Sequence, residues 1–555
     1  MNLKVVLMWF LPVIGMGLSA AAQSDGVKKE DVPQGWHLLD MQKDGFEGIS
    51  LSKAYDFVKN KKSKTVIVAV IDSGVDTTHE DLKNILWHNP REIPGNGIDD
   101  DKNGYVDDIY GWNFLGGKDG RNVKEDSYEA ARVYHEFKAQ FEGKDIDTSK
   151  LSKDDLYHYK QWKSAAEEVE NDGTDASSLK ELKENYNATV MFDSLLQKAL
   201  GKAEFTGNEL EAFKPADQLT KQARGVLLYL FDANGMKDQT NKTFMDEFSD
   251  YVSGEVKKSE AKDKAPEDYR GEIVKDNYSD FNDRFYGNND VMASTPFHGT
   301  HVSGIIGAQR NNGIGIDGIA DNVKIMMVRA VPDGDEHDKD IALAIRYAVD
   351  NGAQVINMSF GKYYSPEKKW VDEAVQYAAS KGVLLVHAAG NESRDVDSLP
   401  SFPNIHFLES GKSATNWINV GASGDMHIQQ KDSEGNTFES LTANFSNYGK
   451  EDVDVFAPGM KIYSTIPGGN TYGSAQGTSM ASPVVAGIAA FILSYYPDLS
   501  AEQVKYVIEA SAAKTDLEVR VPGTNEEKKL SDICKTGGIV NAYEAIKLAA
   551  TIKGE

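Results

Sequence analysis

Thr65-Val66-Ile67-Val68-Ala69-Val70-Ile71 is an unbroken run of β-branched and apolar residues that ends on Asp72-Ser73-Gly74. A strand with one wet face alternates polar and apolar residues. This run does not, so it predicts a strand covered on both faces, as in parallel sheets. Similar runs stand at residues 323–330, 354–359, 383–388, 418–421 and 455–457, with helical periodicity between them, for example at 340–349 and 370–380. Strand and helix in alternation predict an α/β fold with a doubly wound, mostly parallel sheet. In such sheets functional groups gather beyond the carboxyl ends of the strands, and Asp72 is placed that way.

The pattern is interrupted once. Residues 121–270 hold 54 charged residues in 150, against 26% for the whole chain. Helical spacing shows in Leu179, Leu182, Tyr186 and Val190, with Ser178 and Glu181 spaced as a capping box that opens the helix. A second helix is expected over residues 216–231. The chain therefore divides into a first α/β part at 63–120, a mostly helical insertion at 121–276 and a second α/β part at 277–550, with a tail at 551–555. The insertion must leave and re-enter the sheet at neighbouring points.

Ahead of the first strand, Lys4 precedes an apolar stretch at 5–18 and then Ser19-Ala20-Ala21-Ala22-Gln23. This has the form of a cleavable signal peptide at 1–22, cut after Ala22, which implies export to a periplasm or the outside. The stretch is short for a membrane anchor, and no other stretch reads as a membrane span. Residues 23–62 form a polar extension with scattered aromatics, expected to pack on the α/β part. The 60 basic and 86 acidic residues leave a formal charge of −26. That balance disfavours nucleic acid and anionic membranes as partners. The single cysteine, Cys534, offers no internal disulfide.

Two further stretches carry chemistry. In Phe297-His298-Gly299-Thr300-His301, two histidines sit among small residues at the entrance of an apolar run. His298 and His301 lack a third ligand by sequence, which weighs against zinc. In Gly477-Thr478-Ser479-Met480-Ala481-Ser482-Pro483, a flexible turn leads into a helix that Pro483 is expected to start. Ser479 then lies near free N–H groups and the positive end of a helix dipole. A serine there could simply cap the helix. As a nucleophile it needs an imidazole to take its proton, and that imidazole needs a carboxylate. Asp72, His298 and Ser479 supply such a set, in an order that distinguishes one of three unrelated serine-hydrolase designs.

The motifs around these residues, together with Val355-Ile356-Asn357-Met358-Ser359-Phe360-Gly361 and Ala388-Ala389-Gly390-Asn391, resemble those of the subtilisin-like serine proteases, the subtilases. The resemblance covers about 63–115 and 277–550. It implies a serine endopeptidase acting on proteins or peptides, with Ser479 as nucleophile, His298 as base and then acid, and Asp72 orienting His298. It implies Asn391 as an oxyanion-hole donor. Ser359, Phe360, Gly361, Ala388, Ala389 and Gly390 would wall the pocket for the residue before the scissile bond. No organic cofactor is implied. The alternative is a binding or scaffold protein on the same core with a silent or covered groove. The sequence leaves the oligomeric state open.

Asp99, Asp101 and Asn103 stand two apart, with Gly104 next, as at the opening of a calcium-binding loop; Tyr110 takes the place of the usual closing glutamate, and Asp107 could substitute. Asp99, Asp100, Asp101, Asp107 and Asp108 would repel one another without a cation, so a structural Ca2+ is expected. Asp333, Asp335, Glu336 and Asp338, on the segment that the resemblance makes one edge of the substrate groove, together with Glu392, suggest a preference for basic residues in the substrate.

Overall fold

The computed structural model describes residues 32–554, apart from 172–175, 235, 294–295 and 433. The expected signal peptide lies outside the described residues. The run at 65–71 forms the strand Val66–Asp72. Along it Val66, Val68 and Val70 enter one hydrophobic layer, while Ala69 and Ile71 enter the opposite one. This is the two-sided burial that the lack of alternation required.

Nine strands make one sheet in the order Ala513–Lys514, Gly538–Ile539, Val455–Pro458, Trp417–Ser423, Leu384–Ala388, Val355–Met358, Val66–Asp72, Val323–Arg329 and Gly111–Asn113. Every neighbouring pair is parallel except the first. Helices Phe297–Gly307 and Thr478–Tyr495 cover one face, and Asp338–Asp350 and Lys368–Ser380 cover the other. The fold is α/β and doubly wound.

The expectation for Pro483 is corrected. The helix begins at Thr478, and Pro483 lies inside it. A proline in a helix removes the hydrogen bond to the carbonyl four residues back, here that of Ser479. That carbonyl instead accepts from the Ser359 hydroxyl at 2.9 Å, so the helix continues through the proline. The same helix corrects the membrane reading. It is long and apolar enough to span a bilayer, but 89% of its apolar window is buried inside the protein. It is the central core helix.

Residues 32–58 are part of the core. Trp36, Ile49, Leu51, Ala54 and Val58 are buried in the layer that holds the Thr478–Tyr495 helix. Trp36 Nε1 donates to the Met460 carbonyl at 3.0 Å, and Ala542 N donates to Ile49 O at 2.8 Å.

The charged region is helical, with Glu129–Phe141, Lys153–Asn171, Ala176–Leu200, Gly207–Ala212, Gln218–Ala233, Asn241–Glu260 and Tyr269–Val274. The capping-box reading fails, because Ser178 and Glu181 both lie inside Ala176–Leu200. Two small cores form here, one around Phe137, Phe141 and Ala165, the other around Leu196, Phe231, Phe244 and Phe248. The two ends of the region meet, since Arg121 donates to the Glu272 carbonyl at 3.3 Å. The region is tied to the sheet domain at several points. Arg270 holds Asp340 through two bonds of 2.7 Å. Asp238 accepts from Ser474 N at 2.8 Å. Asp126 N donates to Asp333 O at 2.8 Å, and Asp333 N to Lys124 O at 2.9 Å.

Candidate active site

Asp72 is the last residue of its strand and is 1% exposed. Its Oδ1 accepts from Ser73 N at 2.7 Å. His298 is the second residue of the Phe297–Gly307 helix. Its Nδ1 lies 2.8 Å from Asp72 Oδ1 and 3.0 Å from Oδ2. A carboxylate at that nitrogen makes Nδ1 the protonated one and leaves Nε2 as the basic lone pair. Gly299 lets the helix come this close. A Cβ there would lie 2.2 Å from the Gly74 carbonyl and 3.2 Å from Asp72 Cβ. The His298 side chain is 32% exposed, so its outer edge faces solvent.

His301, three residues on, plays a different part. It is fully buried, with Nε2 3.1 Å from the Gly473 carbonyl, and burial lowers its pKa to about 3. It joins the helix to the hairpin Ile462–Ile466 and Thr471–Ala475.

Ser479 is the second residue of the Thr478–Tyr495 helix and is half-buried. Among the described residues its N–H has no hydrogen-bond partner, as expected for the first turn of a helix. Its Oγ donates to the Ser359 carbonyl at 3.1 Å. Among the described residues no hydrogen bond joins it to His298.

Asn391 Oδ1 accepts from Thr478 N at 2.8 Å and from Thr478 Oγ1 at 3.0 Å. This fixes the plane of the amide. Gly477 has a φ of +149°, and a Cβ built on it would lie 3.6 Å from both Asn391 Nδ2 and Ser479 N. The two N–H groups therefore flank one small space beside Ser479. Thr478 was not singled out in the sequence, although its place between Gly477 and Ser479 was visible.

The six pocket candidates lie where two neighbouring parallel strands end. Ser359, Phe360 and Gly361 follow Val355–Met358, while Ala388 closes Leu384–Ala388 and Ala389 and Gly390 follow it. Ser359, Ala388 and Ala389 are buried, Phe360 and Gly390 half-buried, and Gly361 exposed.

The groove-edge acids depart from expectation. Glu336 and Asp338 are each 2% exposed. Lys362 Nζ lies 2.8 Å from Asp338 Oδ1, 2.8 Å from the Glu336 carbonyl and 3.0 Å from Glu129 Oε2. Asp335 Oδ2 accepts from Glu129 N at 2.7 Å. Burial pushes the Glu336 carboxyl up to about 8 and Asp333 up to about 6. Asp126 is also buried, but His337 and Arg132 outweigh the desolvation and bring it down to about 2. Glu392 is engaged as well, accepting from Tyr363 Oη at 2.5 Å and from Asn391 N at 2.9 Å. Most of this acidity is therefore spent inside the protein, where Arg132 and Lys362 answer it.

In the acidic loop, carboxylate oxygens of Glu92, Asp99 and Asp101 lie within 4.8 Å of one another. An all-oxygen donor set suits a hard cation such as calcium. Glu92 was missed because it precedes the loop by seven positions. Asn103 donates to Asp101 Oδ2 at 3.4 Å and to Asp108 Oδ2 at 3.0 Å. Asp107 faces away, accepting from Gly95 N, Asn96 N and Gly97 N.

The chain is 38% identical over 281 residues to the thermophilic serine proteinase of Bacillus sp. (strain AK1), covering 50% of this chain and 58% of that one. It is 35% identical to the cell wall-associated protease of Bacillus subtilis (strain 168), covering 45% and 25%. It is 35% identical to thermitase of Thermoactinomyces vulgaris, covering 47% and 79%. The match thus spans little more than half of the first relative's length and a quarter of the second's. A sequence model of the subtilase family, Peptidase S8, matches residues 63–532, and the chain belongs to that family.

Proposed function

We propose that this subtilase is an exported serine endopeptidase that uses Asp72, His298 and Ser479. The observation that carries the reading is the buried Asp72 carboxylate bonded through both oxygens to His298 Nδ1, on a helix packed against the one at whose entrance Ser479 holds, among the described residues, an N–H without a partner. Ser479 Oγ turns from the Ser359 carbonyl to His298 Nε2, gives up its proton there and attacks the scissile carbonyl. The oxyanion forms between Ser479 N–H and the Asn391 amide, where the helix dipole also favours it. His298 then protonates the leaving amine, and water releases the acyl group by the same steps. Asp72 holds the imidazole in one tautomer and balances its charge. Losing the Asn391 donor costs about 100- to 1000-fold in kcat, the size such donors have in this family. The partners are protein or peptide substrates, and the N-terminal 22 residues direct export.

The test is labelling of the exported protein with a fluorophosphonate, with the adduct located by mass spectrometry. An adduct on Ser479, absent in Ser479→Ala, is expected. Folded protein that does not react would favour the binding or scaffold reading. Calcium is proposed at Glu92, Asp99 and Asp101, with Asn103 beside them and the Asp107 carboxylate shaping the loop through its bonds to Gly95, Asn96 and Gly97 N–H. Its role is structural: it would neutralise three carboxylates for which, among the described residues, Arg91 is the one cation in reach, at 3.0 Å from Asp101. Chelation is expected to lower the Tm of the wild type but not that of Asp101→Asn. Equal Tm values for the wild type with and without chelator would sink the assignment.

A further inference from the structure

Three polar side chains are buried together behind the serine. Asn357 is 0% exposed, Ser359 3% and Ser482 0%. Burying such groups is costly unless each is hydrogen-bonded. Here they are, in one continuous path. Ser482 Oγ donates to Asn357 Oδ1 at 2.9 Å. Asn357 Nδ2 donates to Ser359 Oγ at 3.0 Å. Ser359 Oγ donates to the Ser479 carbonyl at 2.9 Å. Ser479 and Ser482 stand three apart on one helix, so the path closes into a ring.

The ring meets a need that Pro483 creates. The Ser479 carbonyl would ordinarily accept from the N–H of residue 483, and proline has none. With that partner missing, the Ser479–Met480 peptide could tilt, and tilting it changes ψ of Ser479 and the direction of its Cβ–Oγ bond. We infer that Ser359 is a positioning residue: its hydroxyl replaces the donor that Pro483 lacks and so sets the aim of Ser479. Asn357 and Ser482 orient that hydroxyl, since a group accepting from Asn357 must point its own proton elsewhere. The inference rests on Ser479 being the nucleophile. It gives Ser359 a task separate from walling the pocket, because it acts through the helix rather than on substrate.

The experiment compares full-length wild type, Ser359→Ala, Pro483→Ala and the double variant. The readouts are the rate of Ser479 phosphonylation by a small fluorophosphonate, kcat and KM on a peptide, and near-UV circular dichroism. Ser359→Ala is expected to lower kcat and the labelling rate about 10- to 100-fold, the effect of leaving one carbonyl unpaired, with KM changed less than about threefold. Alanine at 483 restores an N–H to the Ser479 carbonyl. The double variant should therefore recover at least half of the loss on a logarithmic scale. A spectator wall residue would show no such rescue. Ser359→Ala within about twofold of wild type, or a double variant no faster than Ser359→Ala, overturns the inference. If Ser359→Ala does not fold, a folded and reactive double variant supports it and an unfolded one overturns it. Wild type that fails to label overturns the nucleophile reading, and this one with it.

Discussion

Two buried polar clusters, one behind Ser479 and one against the helical region, are built on opposite plans. The ring of Asn357, Ser359, Ser482 and Ser479 contains no ionisable group, and its bonds run from 2.9 to 3.0 Å. The cluster between the helical region and the groove edge is ionic. It joins Glu129 and Arg132 to Lys362, Asp338 and the backbone of Glu336. A neutral ring costs little to desolvate and fixes directions. An ion network is expensive to desolvate, and its members must neutralise one another. Removing a member of the ring should therefore appear in rate, whereas removing a member of the network should appear in stability.

The largest effect is expected at Lys362. Burial alone would lower its pKa, but Asp338 and Glu129 hold it above the usual lysine range. Glu129 is held below the usual carboxylate range by Arg132 and Lys362, against the pull of its own burial. Lys362→Met would leave Glu129 with Arg132 and the buried Asp338 carboxylate with the Ser365 hydroxyl and the Glu367 N–H in place of a cation. The expected loss is about 3–5 kcal/mol, the cost of breaking a buried pair from one side. Urea unfolding at pH 7 reads it. A loss below about 1 kcal/mol would mean that water reaches the site and the network is not the buried structure described.

The contrast also explains what the sequence disclosed. Asp72, His298, Ser479 and Asn391 were legible because each sits in a short stretch whose small neighbours have local reasons. Gly299 must clear the Gly74 carbonyl, and Gly477 needs its positive φ. The sheet was legible because two-sided burial leaves continuous apolar runs. The acids at 333–338 were misread, and Lys362 was not singled out, because charge in a sequence looks solvated until its partner is known. Glu129 lies 233 positions from Lys362. Pro483 was misread for the same reason: the donor that lets its helix continue comes from residue 359. The strand Gly111–Asn113 was too short to leave a pattern.

A lone buried titratable group, belonging to neither plan, should fall between the two in stability. His37 is 1% exposed, and among the described residues neither ring nitrogen has a hydrogen-bond partner. Burial lowers its pKa to about 4. The unfolded chain takes up this proton near pH 6.5 and the folded chain only near 4, so stability falls as pH drops through that window. The slope is about 1.4 kcal/mol per pH unit per group. His301 and His387, lowered to about 3 and about 4 by burial, add to it. His37→Phe removes one increment. Between pH 6.5 and 4.5 it should lose about 2–3 kcal/mol less than wild type. Identical acid limbs in urea titrations would mean that the His37 imidazole is already protonated when folded.

The smallest effect is expected where charge is present without burial. On the Asn241–Glu260 helix, Lys242 Nζ lies 2.5 Å from Asp246 Oδ2, shorter than any distance given above for Lys362. Both side chains are 63% exposed. Water already solvates each partner, and ordering two long side chains cancels much of the attraction. The order, with lysine N-terminal to the acid at i and i+4, is also the weaker orientation against the helix dipole. Asp246→Ala should therefore change stability by less than about 0.5 kcal/mol, and that change should shrink further in high salt. If instead it cost as much as Lys362→Met, pairing distance rather than desolvation would set the worth of an ion pair in this protein. The ionic cluster at the groove edge would then hold no more structure together than any surface pair.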